Sequence, residues 1–307
     1  MPRLTVDDLR GSPGRRRREL AIRLLFAAAA SLSLLVSLLI VVSLVGEATR
    51  FITQVDLPLL FERGWFPRRE LFGLPTIVAG TLAVAAVAML VAAPLGLGTA
   101  VFLAEYASPR VRRTVKPLLE ILAGIPSVVL GYFALQVISP TVVDPVCMGP
   151  TDPYTLGAAG IAVGILITPL IASVAEDAMY AVPGSLREAS YGLGARKRTT
   201  SLRVVFPAAI SGIVAALILG VSRAVGETMV VAIAAGGLGG SLFTVNPCGP
   251  GQTMTAAMTA LATGSDRARG SDLAFPSLFF VGLLLFAMTL ALNVVADRFV
   301  RRFRIRY

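Results

Sequence analysis

Two ionisable side chains stand where charge is expensive. The segment Ser222-Arg223-Ala224-Val225-Gly226-Glu227-Thr228-Met229 interrupts an apolar stretch and sets Arg223 and Glu227 four residues apart. On a helix that spacing puts both on one face within ion-pair reach, so each can neutralise the other. If the stretch spans a membrane, a charge near its centre costs about 2.5–3.5 kcal/mol on insertion scales, and charges kept there face a bundle interior or a polar path. Two readings follow. One is a structural ion pair that fixes helix packing. The other is functional: the planar guanidinium fork of Arg223 receives a tetrahedral oxyanion, while Glu227 holds the fork in place and keeps capture reversible. The second reading explains why charge is retained there at all. Thr228 belongs with the pair, and Gly226 lets a neighbouring helix approach closely.

Other chemistry is scarce. The chain has no histidine and two cysteines, Cys147 and Cys248, which excludes a histidine-ligated metal and a cysteine–histidine nucleophile. We assign no catalytic residue, no metal site and no cofactor. Glu176 and Asp177 are adjacent, and neighbours on a helix are not expected to face one site. No Gly-x-x-x-x-Gly-Lys-Ser/Thr phosphate loop is present, so ATP is not bound by that route and active transport would draw on a partner subunit or an ion gradient.

The elements that must position these residues are membrane spans. Of 307 residues, 55% are hydrophobic and 15% charged, with mean hydropathy +0.78. A span needs roughly 20 apolar residues, and we read six: Leu24 to Val45, Thr76 to Ala104, Ile121 to Val143, Tyr154 to Ala175, Pro207 to about Gly236, and Leu273 to Ala296. The first is too long for a signal h-region of about 7–15 residues and reads as an uncleaved anchor. The expectation is an all-α integral membrane protein, with a basic N-terminus at 1–23, a six-span domain at 24–300 and a basic tail at 301–307.

Charge sets the sidedness. The net charge of +10 suggests nucleic acid at first sight, but the basic residues fall at span ends on alternating sides. Arg15 to Arg18 precede the first span. Arg110, Arg112, Arg113 and Lys116 lie between the second and third, with Glu120 in a solvated position at the edge. Arg196, Lys197, Arg198 and Arg203 lie between the fourth and fifth, and Arg298, Arg301, Arg302, Arg304 and Arg306 close the chain. The positive-inside rule makes all four segments, and both termini, cytoplasmic. Trp65, in the near-neutral loop Glu47 to Leu74, suits an interfacial anchor. Cys147 and Cys248 both fall in outer loops, so a disulfide is expected there, against the alternative of two unrelated small residues. Pro126 removes a hydrogen bond from span three and should kink it beside Gly124 and Ser127; the kink either opens a polar gap along a path or only shapes packing. Gly251 to Gly264, rich in threonine and alanine, reads as a short outer helix.

On the cytoplasmic side, Pro183 and Ser185 signal a helix start, a short helix follows from about Ser185 to Tyr191, and Gly192 and Gly194 end it. Leu186, Ala189 and Leu193 share one face by their spacing. The helix either lies on the membrane surface or docks a cytoplasmic partner. Glu188-Ala189-Ser190, then Gly194, then Pro207 resembles the EAA loop of ABC importer permeases, here about 183–207, departing mildly at Ser190, Val204 and Phe206.

The resemblance narrows further. Arg223-Ala-Val-Gly-Glu-Thr-Met229 is similar to a motif of the phosphate-specific PstC and PstA permeases. Glu120-Ile-Leu-Ala-Gly-Ile-Pro-Ser-Val-Val-Leu-Gly131 and Phe102-Leu-Ala-Glu-Tyr-Ala107 resemble the PstC member. The resemblance implies a type I importer permease of MetI-like architecture in a bacterial cell membrane. It implies partners as well: a PstA-like second permease, a cytoplasmic ATPase dimer binding ATP and Mg, and an external phosphate-binding protein. Glu188, Ala189, Ser190 and Gly194 would couple to the ATPase, while Arg223, Glu227, Thr228, Pro126 and Ser127 would line the path. The rivals are a permease for sulfate, molybdate or a phosphonate, and a membrane scaffold or enzyme without cargo.

Overall fold

The computed structural model describes residues 13–150, 152–237, 240–263 and 273–303. Residues 1–12 and 304–307 of the two basic terminal segments, with Arg304 and Arg306, lie outside the described residues.

The chain is a helical bundle. Helix α1 covers Pro13–Gln54, and a tiny hairpin, β1 (Trp65–Phe66) and β2 (Leu71–Phe72), pairs Trp65 with Phe72. Helix α2 runs over Leu74–Tyr106, α3 over Pro109–Ala123, α4 over Ser127–Val146 and α5 over Leu156–Tyr180. The short α6 is Gly184–Gly192; α7 (Lys197–Ala208) meets α8 (Ile210–Val225) at a 72° bend. Then come α9 (Met229–Ala234), α10 (Met254–Ala262) and α11 (Ala274–Phe303). Among the described residues five helices are long and apolar enough to cross a membrane, and a sixth span results if the bent α7–α8 pair is counted as one.

Two span boundaries differ from expectation. The apolar run from Ile121 is not one helix: α3 stops at Ala123, Gly124 caps it, and Pro126 is extended (φ −57°, ψ 127°) at the start of α4. A proline, lacking an amide hydrogen, suits a helix start, and here it follows the Gly124 cap, so Pro126 begins the span instead of kinking it. Ile121 belongs to an exposed helix outside the span. The fifth span likewise ends at Val225, and Gly226 separates α8 from α9. The short helix expected within 251–264 is present as α10, and it is largely buried, with Thr253 capping it by accepting a hydrogen bond from Ala256 N.

The core is built on the crossing of α2 and α5, where small residues bring the backbones together. Ala85, Ala88, Ala92, Ala158, Ala159 and Ala162 are buried there. A Cβ at Gly164 would lie 2.8 Å from Ala88 O. A second apolar cluster, Phe51, Leu60, Trp65, Phe72, Met254 and Val281 among its members, closes the end where α2 begins. Trp65 is fully buried in it, edge-on to Phe72, and exchanges backbone hydrogen bonds with Ser241. It is therefore a core residue and not an interfacial anchor. The apolar requirement of a loop cap outweighs the indole's preference for an interface.

Candidate functional site

The break after α8 defines the site. Val225 is the last helical residue, Gly226 N donates to Ser222 O at 3.2 Å, and Glu227 N donates to Ala224 O at 3.3 Å. Glycine, lacking a side chain, suits such an interruption. Glu227 thus lies outside the helix that carries Arg223, yet the two remain an ion pair: Arg223 Nη2 stands 3.7 Å from Glu227 Oε2. Their exposures differ sharply, 57% for the Arg223 side chain against 4% for that of Glu227. The carboxylate is fixed in protein, and the guanidinium reaches outward from it.

Helix α10 pins the break. Thr255 Oγ1 donates to Glu227 O at 2.7 Å, and Thr81 Oγ1 on α2 accepts from Met254 N at 2.9 Å. Thr228, at the start of α9, lines a cavity of about 270 Å³ with Gly226, Thr255 and Thr259. Pro126 and Ser127 begin α4, whose Gly131 packs on Val230 and Ile233 around α9. The residues expected to line a path are thus on neighbouring elements, but among the described residues no direct contact joins Ser127 to Arg223. Thr255 and Thr81 were not singled out from the sequence. Their signal was only a threonine-rich stretch, and the 173-residue separation of Thr81 from Met254 carries no local pattern.

At the far end of the bundle, α6 has the expected ending. Ala195 N donates to Ser190 O and Gly194 N to Tyr191 O, with Gly194 at φ +78°. These are the two bonds of a Schellman ending, whose left-handed residue is best a glycine. Ser185 makes no capping bond, so Pro183 alone marks the start. The proposed apolar face splits: Leu186 packs on the core, while Ala189 is exposed and Leu193 is 89% exposed. Ser190 instead is buried, its hydroxyl 2.9 Å from that of Thr200. Glu188 is exposed beside Ala189.

Two ion clusters at this end escaped the sequence reading. Arg187 on α6 donates to Glu105 Oε1 from Nε at 3.1 Å and Nη2 at 2.9 Å, and also to Met179 O and Val182 O. Lys116 on α3 bonds both Glu176 Oε2, at 2.7 Å, and Asp177 Oδ1, at 2.5 Å, while Arg112 pairs with Glu176 and stacks on Tyr180. Adjacent Glu176 and Asp177 therefore do share one partner: a long lysine reaching from another helix spans the angle between them. Burial works against the charge on Lys116, but its hydrogen bonds to Asp177 and Glu176, with their charges, outweigh it and raise its pKa above the ordinary lysine value. The clamp is intact at physiological pH and weakens only as alkaline pH rises through that raised value.

Cys147 and Cys248 are bonded, tying the end of α4 to the loop that leads into α10. The same loop is held by Gly157 N on Pro247 O and Leu156 N on Gly249 O. With the cysteines 101 positions apart in sequence, Cys147→Ser is expected to lower stability by about 2–4 kcal/mol. Thermal unfolding of the purified chain, with and without reductant, checks this; an unchanged midpoint would deny the bond a stabilising role. Among the described residues no group of three histidine, cysteine, aspartate or glutamate side chains is gathered to hold a metal.

Comparison with known proteins agrees with this architecture. Residues 93–305 match the family described as "Binding-protein-dependent transport system inner membrane component". "Phosphate transport system permease protein PstC" of Xylella fastidiosa strain 9a5c is 30% identical over 91% of this chain and 90% of that protein. The protein of the same name from Mesorhizobium japonicum is 32% identical over 86% and 84%. In fold, the chain is similar to a bacterial ABC transporter for the import of alginate, with TM-score 0.64 at 14% identity over 94% of this chain and 99% of that one. The family match takes in every element from the end of α2 onward, including both the broken span and α6, so the chain belongs to the binding-protein-dependent transport system inner membrane component family, on its PstC branch.

Proposed function

We propose that this chain is one of two permease subunits of an ATP-driven importer, and that its cargo is inorganic phosphate. The carrying observation is the asymmetry of the charged pair. An arginine with more than half its side chain exposed, on a membrane span, cannot face lipid without a large cost, so it faces a water-filled path or the second permease that completes one. Its fork of donors suits phosphate, and buried Glu227 keeps the fork aimed. Relatives named as phosphate permeases support that choice over sulfate, molybdate or a phosphonate.

The basic end is the cytoplasmic one, with both termini there, and the disulfide end lies outside, where thiols oxidise. On the cytoplasmic side α6 offers Glu188, Ala189 and Leu193 to an ATPase dimer, which binds the ATP and Mg. Buried Ser190 and the Gly194 turn hold α6 in that pose. A PstA-like permease completes the path, and a phosphate-binding protein delivers cargo from outside.

Reconstituting the chain with these partners in proteoliposomes tests the reading. Labelled phosphate should accumulate on ATP addition and be displaced by unlabelled phosphate, not by equimolar sulfate, molybdate or phosphonate. Displacement by sulfate or molybdate instead would reassign the cargo.

A further inference from the structure

We infer that Glu105 and Arg187 are a positioning pair that carries movement of α6 to the spans; this rests on the importer reading above. Helix α6 has few ties to the bundle. Leu186 packs on the core, Ser190 bonds Thr200, and Arg187 makes every remaining side-chain bond found for α6 among the described residues.

Arg187 bonds the ends of two spans directly and reaches a third through Glu105. Glu105, whose side chain is 3% exposed, sits in the last turn of α2. Met179 O and Val182 O are at the end of α5, where a cation is favoured by the helix dipole. The other carboxylate oxygen of Glu105 lies 3.4 Å from Ser201 Oγ on α7, which leads into the span of Arg223; that hydroxyl's single proton also has Lys197 O at 2.9 Å, so this is the loosest of the three links. One guanidinium–carboxylate pair thus gathers the ends of α2, α5 and α7 onto α6. Charge-assisted bonds in so dry a place are about twice as strong as neutral ones, and a single lost partner leaves a buried charge uncompensated. A push on α6 is therefore delivered to the three span ends together.

Lysine cannot reproduce the fork. Its ammonium keeps the charge but cannot reach the carboxylate and both carbonyls in one geometry. Arg187→Lys should leave the four-component complex assembled and its basal ATPase unchanged, while stimulation of ATPase by phosphate-loaded binding protein falls roughly tenfold, within the range that changes in coupling elements produce. Glu105→Gln, which keeps an acceptor but not the charge, should do the same if Arg187→Lys fails to accumulate. Normal stimulation in an assembled variant, or uptake and ATPase falling together only in proportion to complex yield, overturns the inference in favour of a plain structural staple. A wild-type complex that shows no stimulated ATPase at all overturns the importer reading first, and with it this one.

Discussion

Arg223→Gln is expected to abolish phosphate uptake while the complex stays assembled. Each charge-assisted hydrogen bond contributes about 1.5–3 kcal/mol, and a bidentate fork supplies two, so uptake should fall at least a hundredfold at about 1.4 kcal/mol per tenfold. The substitution also leaves Glu227, 4% exposed, without its counter-charge, a second penalty for an approaching anion. Glu227→Gln should show the opposite signature. With its restraint gone, Arg223 binds the anion more tightly and releases it more slowly, so half-saturation for uptake drops together with the maximal rate. Measuring uptake against phosphate concentration, with complex yield followed by co-purification, separates the two. Unchanged uptake in assembled Arg223→Gln would make the pair structural and send the search for an anion site elsewhere.

Gly160→Leu is expected to remove the protein from the membrane altogether. A Cβ at residue 160 would lie 2.6 Å from Val87 Cβ and 3.1 Å from Val84 O. Backbone cannot retreat as a flexible side-chain tip can, so α2 and α5 must separate. Overpacking of this kind costs about 1–3 kcal/mol and occasionally more, and a leucine brings several excess groups at once. Gly98→Ala, on the same α2 but with nothing within 4 Å of the added Cβ, is the matched control and should accumulate normally. Quantitative immunoblotting of membranes reads both; equal accumulation would mean the seam is looser than its distances imply.

Much of this fold was legible because lipid enforces a simple code. Long apolar runs and basic ends located α1, α2, α5 and α11, and glycine with proline located α6. Legibility failed where hydropathy and helicity part company. Residues 121–143 carry no charge, yet the Gly124–Pro126 break divides them between an exposed helix and a span. The charged pair was found by its cost and spacing, but the helix that would have put both on one face ends between them. Partners of long reach were invisible: Arg187 and Glu105 are 82 residues apart, and Lys116 is 60 from Glu176. No local pattern encodes such a meeting, because each side chain alone resembles an ordinary charge at a span end.

Helix α1 has a different standing from the rest. Its most apolar window is 0% buried, it leans chiefly on α11, and it precedes the matched region that starts at residue 93. A window that the rest of the chain leaves uncovered answers to hydropathy and not to shape. Leucine, isoleucine, valine and phenylalanine are therefore close to interchangeable along that window, whereas Phe51 near the helix end is fully buried in the second cluster and a single methyl group matters at the α2–α5 seam. The same chain thus holds two regimes of sequence freedom, one set by its solvent and the other by its neighbours.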